Sequence, residues 1–272
     1  NGDGQAARAE FEKALEIEPD HEAATFALAE RLDYEGEFDE VISRLERLAK
    51  ARPDSARVPL TLANFLRKYD RIDEAILQWR NGLAKEPKWD DSWRNLGFGL
   101  EHLDRIDEAV DAYRQAAQAA PANSENHRYL GSALQDAGQL DKALDAFGQA
   151  IKADPENAEA HWGRFWVSAL RGDFPKAWED YEWRWKLRER TTPELDDSAP
   201  LWEGGDLSGQ TFFLRAEQGY GDTIQTIRYA PILAEMGATV KVGCPPALAR
   251  LLTNAPGVSE VITGNAGRVI FN

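Results

Sequence analysis

The feature that most constrains the fold is a series of prolines at equal intervals. Pro19, Pro53, Pro87, Pro121 and Pro155 follow one another in four steps of 34 residues. A proline has no backbone N–H with which to continue a helix, so each member of the series marks the same point of a repeated unit. The chain is therefore predicted to be an array of repeats.

The unit from 90 to 123 shows what one repeat contains. Its apolar and small residues fall at offsets of three, four and seven in two stretches, which predicts two helices that each bury one face. They are Trp93, Leu96, Gly97 and Leu100 in the first helix, and Ala109, Tyr113 and Ala116 in the second. This pattern resembles the tetratricopeptide repeat. The resemblance implies a mainly α fold in which antiparallel helix pairs stack into a right-handed superhelix.

The repeats fill about two thirds of the chain. We predict a partial first repeat over residues 1–21, full repeats over 22–55, 56–89, 90–123 and 124–157, and a divergent last repeat over 158–187. Only the second helix of the first repeat is present, so the start is interpreted as cut, and Phe11 is expected to be open to self-association with a second copy. The last repeat diverges because Arg164 stands where a leucine is expected.

The remaining residues have a different composition and period. Residues 188–210 are rich in Pro, Gly, Asp and Ser, which is typical of a linker. Residues 211–272 are predicted to be a partial α/β Rossmann-like domain, because strands and helices alternate as they do around a parallel sheet. The predicted strands are 211–216, 238–242, 259–263 and 268–271, and the predicted helices are 222–236 and 246–252.

The sequence EQGYGDTIQ follows the first predicted strand, at the position where sheets of this kind bind ligands. Gly219, Gly221 and Thr223 are the candidate ligand-binding residues of this loop, since glycines permit close backbone approach and a helix N-terminus favours an anion. Two interpretations of Asp222 remain open. It is either a helix N-cap with Gln225 as its capping-box partner, or a catalytic or ligand-binding residue.

Two stretches in this part of the chain carry a second resemblance. YEWRW (181–185) and PLWEGGDLSGQTFFLRAEQGYGDTIQTIRY (200–229) resemble bacterial proteins that join tetratricopeptide repeats to a glycosyltransferase-like domain similar to heptosyltransferases. The resemblance implies the GT-B fold, in which a Gly-Asp pair after the first strand, here Gly221 and Asp222, supplies the acceptor-side base. It implies a nucleotide sugar only for a longer parent protein, since no sequence remains here for the C-terminal half that binds it.

A further candidate site lies along the first helices of the repeats. In tetratricopeptide superhelices the second, fifth, ninth, twelfth and thirteenth residues of each repeat line the inner face. Basic and polar residues are prominent at or beside these positions, together with one phenylalanine: Arg57, Asn64, Arg67, Lys68, Arg94, Asn95, Phe98 and Arg128. We predict that they form a groove that binds an extended or acidic peptide. The alternative is an ordinary solvated helix face.

Composition argues against several other functions. The 47 acidic and 32 basic residues give a formal net charge of −15, which disfavours nucleic acid and anionic membranes as partners. Cys244 is the only cysteine and no apolar run reaches about 18 residues, which favours a cytoplasmic protein. No cluster has the spacing of a metal site. His127 and His161 repeat the position of Trp93, so they are interpreted as packing residues.

Together these observations predict a protein-interaction scaffold that binds a protein or peptide in the groove of the repeats and uses no cofactor. The alternative is an enzyme. In that case the chain is the acceptor-selecting part and the incomplete N-terminal half of a GT-B glycosyltransferase, inactive in this form.

Overall fold

The computed structural model describes residues 2–187, 202, 204–216 and 219–263. The chain divides into two compact units, Asn1–Leu187 and Arg188–Asn272. The first unit is helical, and the second contains a small parallel sheet. Within the described ranges, no helix combines the length and the apolar character that crossing a membrane requires.

The helical unit consists of consecutive α-helices. They are α1 (Gly2–Ile17), α2 (Glu22–Glu35), α3 (Phe38–Ala51), α4 (Arg57–Lys68), α5 (Ile72–Lys85), α6 (Asp90–His102), α7 (Ile106–Ala119), α8 (Ser124–Asp136), α9 (Leu140–Ala153), α10 (Ala158–Leu170) and α11 (Phe174–Tyr181). A 3₁₀ helix follows at Glu182–Lys186. From α2 onwards the helices pack as pairs, and the first helix of each pair also packs against the pair before it.

Small residues opposite large ones bring the two helices of a pair together, as the spacing predicts. A Cβ atom on Gly97 would lie 2.5 Å from Cε1 of Tyr113, and one on Gly131 would lie 2.8 Å from Cδ1 of Phe147. Both rings are fully buried. One apolar core runs through these pairs, and Phe11 of α1 packs against it half-buried. Phe11 is therefore less exposed than the sequence analysis predicts.

The turn inside each pair places one residue in the left-handed backbone region. Gly36, Gly138 and Gly172 have φ angles of 80°, 71° and 78°, and Asp70 and Asp104 have 61° and 57° at the same repeat position. Aspartate is among the few residues with a side chain that tolerate this conformation. The 34-residue period therefore governs the backbone of the turns as well as the apolar positions.

The second unit contains strands β1 (Thr211–Arg215), β2 (Thr239–Cys244) and β3 (Val258–Thr263), paired in parallel in the order β1-β2-β3. Helices α12 (Tyr220–Thr226) and α13 (Ala230–Glu235) lie between β1 and β2, and α14 (Pro246–Leu252) lies between β2 and β3. The predicted strand at 268–271 and most of the predicted linker at 188–210 lie outside the described residues.

The single helix predicted over 222–236 is wrong. The first helix begins two residues earlier, at Tyr220, and a 3₁₀ turn at Ile227–Tyr229 separates α12 from α13. Pro231 lies in the first turn of α13 and has no N–H to donate to the preceding turn. A continuous α-helix is interrupted there for this reason.

Candidate functional site

Arg57 and Arg67 of α4, two cations of the predicted groove, are exposed and have no carboxylate partner within the described ranges. Cζ of Arg57 lies 5.3 Å from the centroid of the Phe26 ring. A guanidinium over an aromatic face keeps its charge and its N–H donors. Both residues are therefore able to bind an anion.

Lys68 is also exposed, but it pairs within the protein. Its ammonium contacts the carboxylate of Asp33 on α2, and the hydroxyl of Tyr69 donates to the same carboxylate over 2.8 Å. Burial alone would raise the pKa of Asp33, but the hydrogen bonds from Lys68 and Tyr69 outweigh it and lower the pKa. Asp33 thus stays ionised and neutralises Lys68.

Arg94 and Arg128 pair with acidic residues one turn earlier on their own helices. Arg94 contacts Asp91 and also donates to Oδ1 of Asn126 over 3.0 Å. Arg128 forms a forked contact with Glu125, with N–O distances of 2.7 and 3.1 Å. These pairs leave the groove less basic than its sequence indicates.

Asn64 and Asn95 form a bridge between neighbouring repeats. Nδ2 of Asn95 donates to Oδ1 of Asn64 over 3.2 Å, and Nε1 of the buried Trp79 donates to the same oxygen over 3.1 Å. The two amides therefore hold each other in place and link α4 to α6.

Phe98 is part of an aromatic cluster that the sequence pattern reveals only in part. Its ring centroid lies 4.6 Å from that of Tyr129 and 5.9 Å from that of Tyr113, and both contacts are edge-to-face. Cζ of Arg128 lies 3.8 Å from the centroid of the Tyr129 ring. Tyr129 is the sixth residue of its repeat, which is not an inward position of the pattern, so the pattern does not predict it.

Glu101 is an acid beside this aromatic cluster. Its Oε2 accepts a hydrogen bond from the Tyr113 hydroxyl over 2.7 Å. Burial raises the pKa of Glu101, the Tyr113 hydrogen bond opposes this shift, and the charge of Asp136 adds to it. Glu101 occupies an inward position, but nothing in the sequence distinguishes it from a solvated acid.

The N-cap interpretation of Asp222 is wrong, because the helix starts before it. Gly219 holds the N-cap position and has no side chain with which to cap, so Asp222 lies exposed within the first turn of α12. Thr223 is buried, and its hydroxyl donates to the Gly219 carbonyl over 3.3 Å. A Cβ atom on Gly219 or Gly221 would meet open space. The ligand-binding role of this loop stays a prediction.

A small cavity lies between the carboxyl end of β1 and α12. It has a volume of about 40 Å³, and Leu214, Ala216, Thr223 and Val242 are among its lining residues. Pockets that hold small-molecule ligands have volumes of about 300–1,000 Å³. In the part of the chain that the structure describes, no group of three or more His, Cys, Asp or Glu side chains is placed to hold a metal ion.

The histidines at the position of Trp93 pack as predicted. Nε1 of Trp93 donates to the carbonyl of the proline six residues earlier over 2.8 Å, and Nε2 of His127 and of His161 lie 2.9 and 3.1 Å from the corresponding carbonyls. A carbonyl oxygen can only accept a hydrogen bond, so the imidazole nitrogen that faces it is the donor, as the indole N–H is at Trp93. This contact ties each first helix to the turn that precedes it.

Residues 130–182 match the sequence model of the tetratricopeptide repeat family. The helical unit is built of helix pairs like those of tetratricopeptide repeats. This conclusion rests on the match together with the helix pairs and their 34-residue period. The comparison does not extend to the α/β unit, so the glycosyltransferase-like resemblance stays a hypothesis.

Solved structures share the fold of the repeats. YrrB, described as a TPR protein with an unusual peptide-binding site, is similar over 64% of this chain and 89% of its own, with 21% identity and a TM-score of 0.56. MamA is similar over 57% of this chain and 91% of its own, with 19% identity and a TM-score of 0.54. MamA from Desulfovibrio magneticus is similar over 57% and 88%, with 20% identity and a TM-score of 0.51. No curated protein sequence matches the chain.

Proposed function

We propose that the chain is a protein-interaction scaffold that binds an extended, acidic peptide along α4, α6 and α8. Stacked helix pairs present side chains from several repeats to one partner, so recognition is spread over a long surface. The tetratricopeptide fold of the helical unit supports this proposal.

The proposal rests on one observation: some basic residues of the proposed groove are paired with carboxylates of the chain, and others are not. Lys68, Arg94 and Arg128 are neutralised by carboxylates of the chain itself, whereas Arg57 and Arg67 are exposed and unpaired within the described ranges. A guanidinium binds a carboxylate through two parallel N–H donors. Acidic residues of a partner would therefore bind at α4.

The rest of the groove suits the remainder of such a peptide. Asn64 and Asn95 lie next along it, and amide side chains can hydrogen-bond to a peptide backbone. Phe98 and Tyr129 follow, and both are half-buried, so they offer an apolar surface to one side chain of the partner. The partner expected is a segment with acidic residues at one end and an apolar residue at the other.

The test is selection of random 12-residue peptides against the whole chain, followed by titration of the selected peptides. The Arg57→Glu, Arg67→Glu double variant is expected to bind them about tenfold more weakly or worse, because it places two carboxylates against the acidic residues. Lys152→Glu, an exposed reversal on α9, is the matched control and should leave the affinity unchanged. Selected peptides that bind the double variant as tightly as the original chain would refute the proposal, as would a selection that enriches no peptide.

The second candidate function is glycosyl transfer, and one observation favours it. Asp222 is exposed at the start of α12, beyond the carboxyl end of β1, where parallel sheets place ligand-binding residues. In this proposal Asp222 is the general base, and Gly219, Gly221 and Thr223 contact the ligand. Calorimetric titration of the chain with nucleotide sugars tests it. Saturable heat that Asp222→Ala alters would support a ligand site at Gly219, Gly221 and Thr223, and the absence of heat with every nucleotide sugar would rule out nucleotide-sugar binding by this unit alone.

A further inference from the structure

The second helix of the last repeat, α11, exposes large apolar side chains along one side. Phe174 and Trp178 are 55% and 58% exposed, and Tyr181 is half-buried. Their counterparts at the same three repeat positions of α5 are Ile72, Ile76 and Trp79. Of these, Ile72 is half-buried, and Ile76 and Trp79 are buried. A neighbour therefore covers these positions on α5 and not on α11.

The neighbour that covers α5 is the first helix of the following repeat, α6. A Cβ atom on Gly99 of α6 would lie 2.9 Å from Cζ3 of Trp79, 3.3 Å from Cγ1 of Ile76 and 3.7 Å from Cγ2 of Ile72. The two helices approach this closely because the residue between them is a glycine.

A small residue recurs where first helices cover second helices. Gly163 of α10 lies directly against the ring of Phe147, which is the counterpart of Tyr181 on α9. Ala133 of α8 stands at the repeat position of Gly99 and is fully buried. A helix that presents a glycine or an alanine is therefore the cover that these repeats share.

Trp166 extends the apolar surface of α11 onto α10. Its counterpart Phe98 contacts the first helix that follows, through the ring of Tyr129 at a centroid distance of 4.6 Å. Trp166 is 47% exposed, and the Phe165 ring links it to Trp178, at centroid distances of 5.1 and 6.3 Å. The surface formed by these connected residues is called the α11 face, and its exposed or half-buried members are Trp166, Phe174, Trp178 and Tyr181.

The described part of the helical unit has no further first helix to cover the α11 face. After α11 comes the 3₁₀ helix Glu182–Lys186. The sequence one repeat after α10, residues 192–204, contains Pro193 and Pro200, and proline disrupts the interior of a helix. Gly204 has a φ angle of 102°, outside the helical region. This stretch is therefore a poor source of the helix that the face would receive.

We propose that the α11 face binds an amphipathic helix of a partner protein, which presents a glycine or an alanine to Phe174, Trp178 and Tyr181. Its apolar residues would recur at intervals of three and four, as they do in the first helices of the repeats. The rings of Phe174 and Trp178 are larger than the isoleucine side chains of α5, so the contact requires a small residue. The face is distinct from the residues of α4, α6 and α8 that are proposed to bind an acidic peptide.

The test is a fluorescence-anisotropy titration of the whole chain with a labelled, capped peptide of the α6 sequence, residues 90–102. Saturable binding is expected, because α6 covers the equivalent residues of α5 within the chain. A second peptide carries Gly99→Leu and is expected to bind about tenfold more weakly, because the leucine side chain collides with the rings. Leucine is a better helix former than glycine, so weaker binding would not result from lost helicity.

Two variants of the chain locate the binding. Phe174→Lys and Trp178→Lys each place a charge in the α11 face and are each expected to weaken binding of the α6 peptide about tenfold. Both side chains are more than half exposed, so both variants should fold, which their melting temperatures verify. Leu77→Lys is the matched control, because Leu77 is an apolar residue of α5 that is 64% exposed and lies outside the face. It should leave the affinity unchanged.

Three results would overturn the proposal. The first is the absence of saturable binding of the α6 peptide. The second is equal affinity of the glycine and leucine peptides, or binding that both Phe174→Lys and Trp178→Lys leave unchanged. The third is self-association in sedimentation that Trp178→Lys abolishes, because the occupant would then be a second copy of the chain.

Discussion

Gly97 of α6 lies directly against the ring of Tyr113 on α7, where a Cβ atom would be 2.5 Å from the ring atom Cε1. The ring cannot move aside, because it is fully buried and its hydroxyl is bonded to Glu101. Gly97→Ala is therefore expected to lower the free energy of unfolding by about 1–3 kcal/mol, the usual range for overpacking a core. Chemical denaturation measures it.

Gly148 is the matched control for this substitution. It also lies inside a helix, α9, but a Cβ atom there would meet nothing within 4 Å. Gly148→Ala is expected to raise the free energy of unfolding by up to about 1 kcal/mol, because alanine is the better helix former. Equal effects of the two substitutions would show that contact with Tyr113 does not set the helix spacing.

The close approach of Gly97 and Tyr113 belongs to the part of the fold that the sequence predicts. Residues 34 apart repeat the same contacts, since Gly131 lies against Phe147 as Gly97 lies against Tyr113. Because the repeats share one pattern, the role predicted for a residue in one repeat can be checked against the equivalent residues of the other repeats. The α/β unit offers no such repetition, and there Pro231 divides a helix that the apolar pattern predicts to be continuous.

Asn126 supplies the second prediction, because it links two repeats while fully buried. Its amide donates to Oδ2 of Asp90 over 2.8 Å and to the Ala116 carbonyl over 3.2 Å, and its oxygen accepts from Arg94. Asn126→Ala would leave buried partners unsatisfied, so we expect a loss of about 1–3 kcal/mol in the free energy of unfolding. Gln118→Ala, an exposed change on α7, should have an effect within about 0.5 kcal/mol. Matching denaturation midpoints for the two variants would contradict this.

The third prediction concerns pH. Burial raises the pKa of Glu101 above its ordinary value of 4.5, so its ionisation opposes folding. Its contribution to stability is complete below pH 4.5 and is lost as the pH rises through the folded-state pKa. Glu101→Gln keeps an oxygen for the Tyr113 hydroxyl and cannot ionise. The variant should therefore be more stable than the original chain at pH 7, and the difference should shrink towards pH 4.

Glu108 is the control, because its pKa is lowered whereas that of Glu101 is raised. Hydrogen bonds from Arg105 and Arg80 lower its pKa to about 2. Its contribution is present above pH 4.5 and is lost as the pH falls towards about 2. Glu108→Gln should be less stable than the original chain at pH 7, with a difference that shrinks as the pH falls from 4.5 to 3. Urea denaturation from pH 3 to pH 8 measures both variants, and the same sign of change at pH 7 would show that one assignment is wrong.

The residues of the proposed groove illustrate what sequence reasoning cannot supply. The period predicts which positions face inwards, but it does not say which charges find partners. Lys68 is neutralised by Asp33, 35 residues away on another helix, and that pairing depends on how repeats stack. The pair of Arg128 and Glu125 is different, because acids three residues before a base on a helix are visible in the sequence.

The divergence at Arg164 has an explanation that only the structure reveals. Nε and Nη2 of Arg164 donate to the two carboxylate oxygens of Asp180 over 2.6 and 2.7 Å, and Nδ1 of His161 faces the same carboxylate at 2.6 Å. The equivalent residues of the preceding repeat are Leu130 and Ala146. An apolar pair has therefore been exchanged for an ion pair at matching positions, and the departure of Arg164 from the pattern is compensated by Asp180.

The last prediction tests whether Asp180 stabilises the protein through its ion pair with Arg164. Asp180→Ala removes a buried carboxylate and leaves Arg164 without its partner, so we expect a loss of about 3–5 kcal/mol. The double variant Arg164→Leu, Asp180→Ala restores the residue types of the preceding repeat. Replacing a buried ion pair by apolar residues is often neutral, so the double variant should recover most of the loss. Denaturation followed by tryptophan fluorescence measures both. If the double variant is no more stable than Asp180→Ala, then His161, and not Arg164, is the residue that needs the carboxylate.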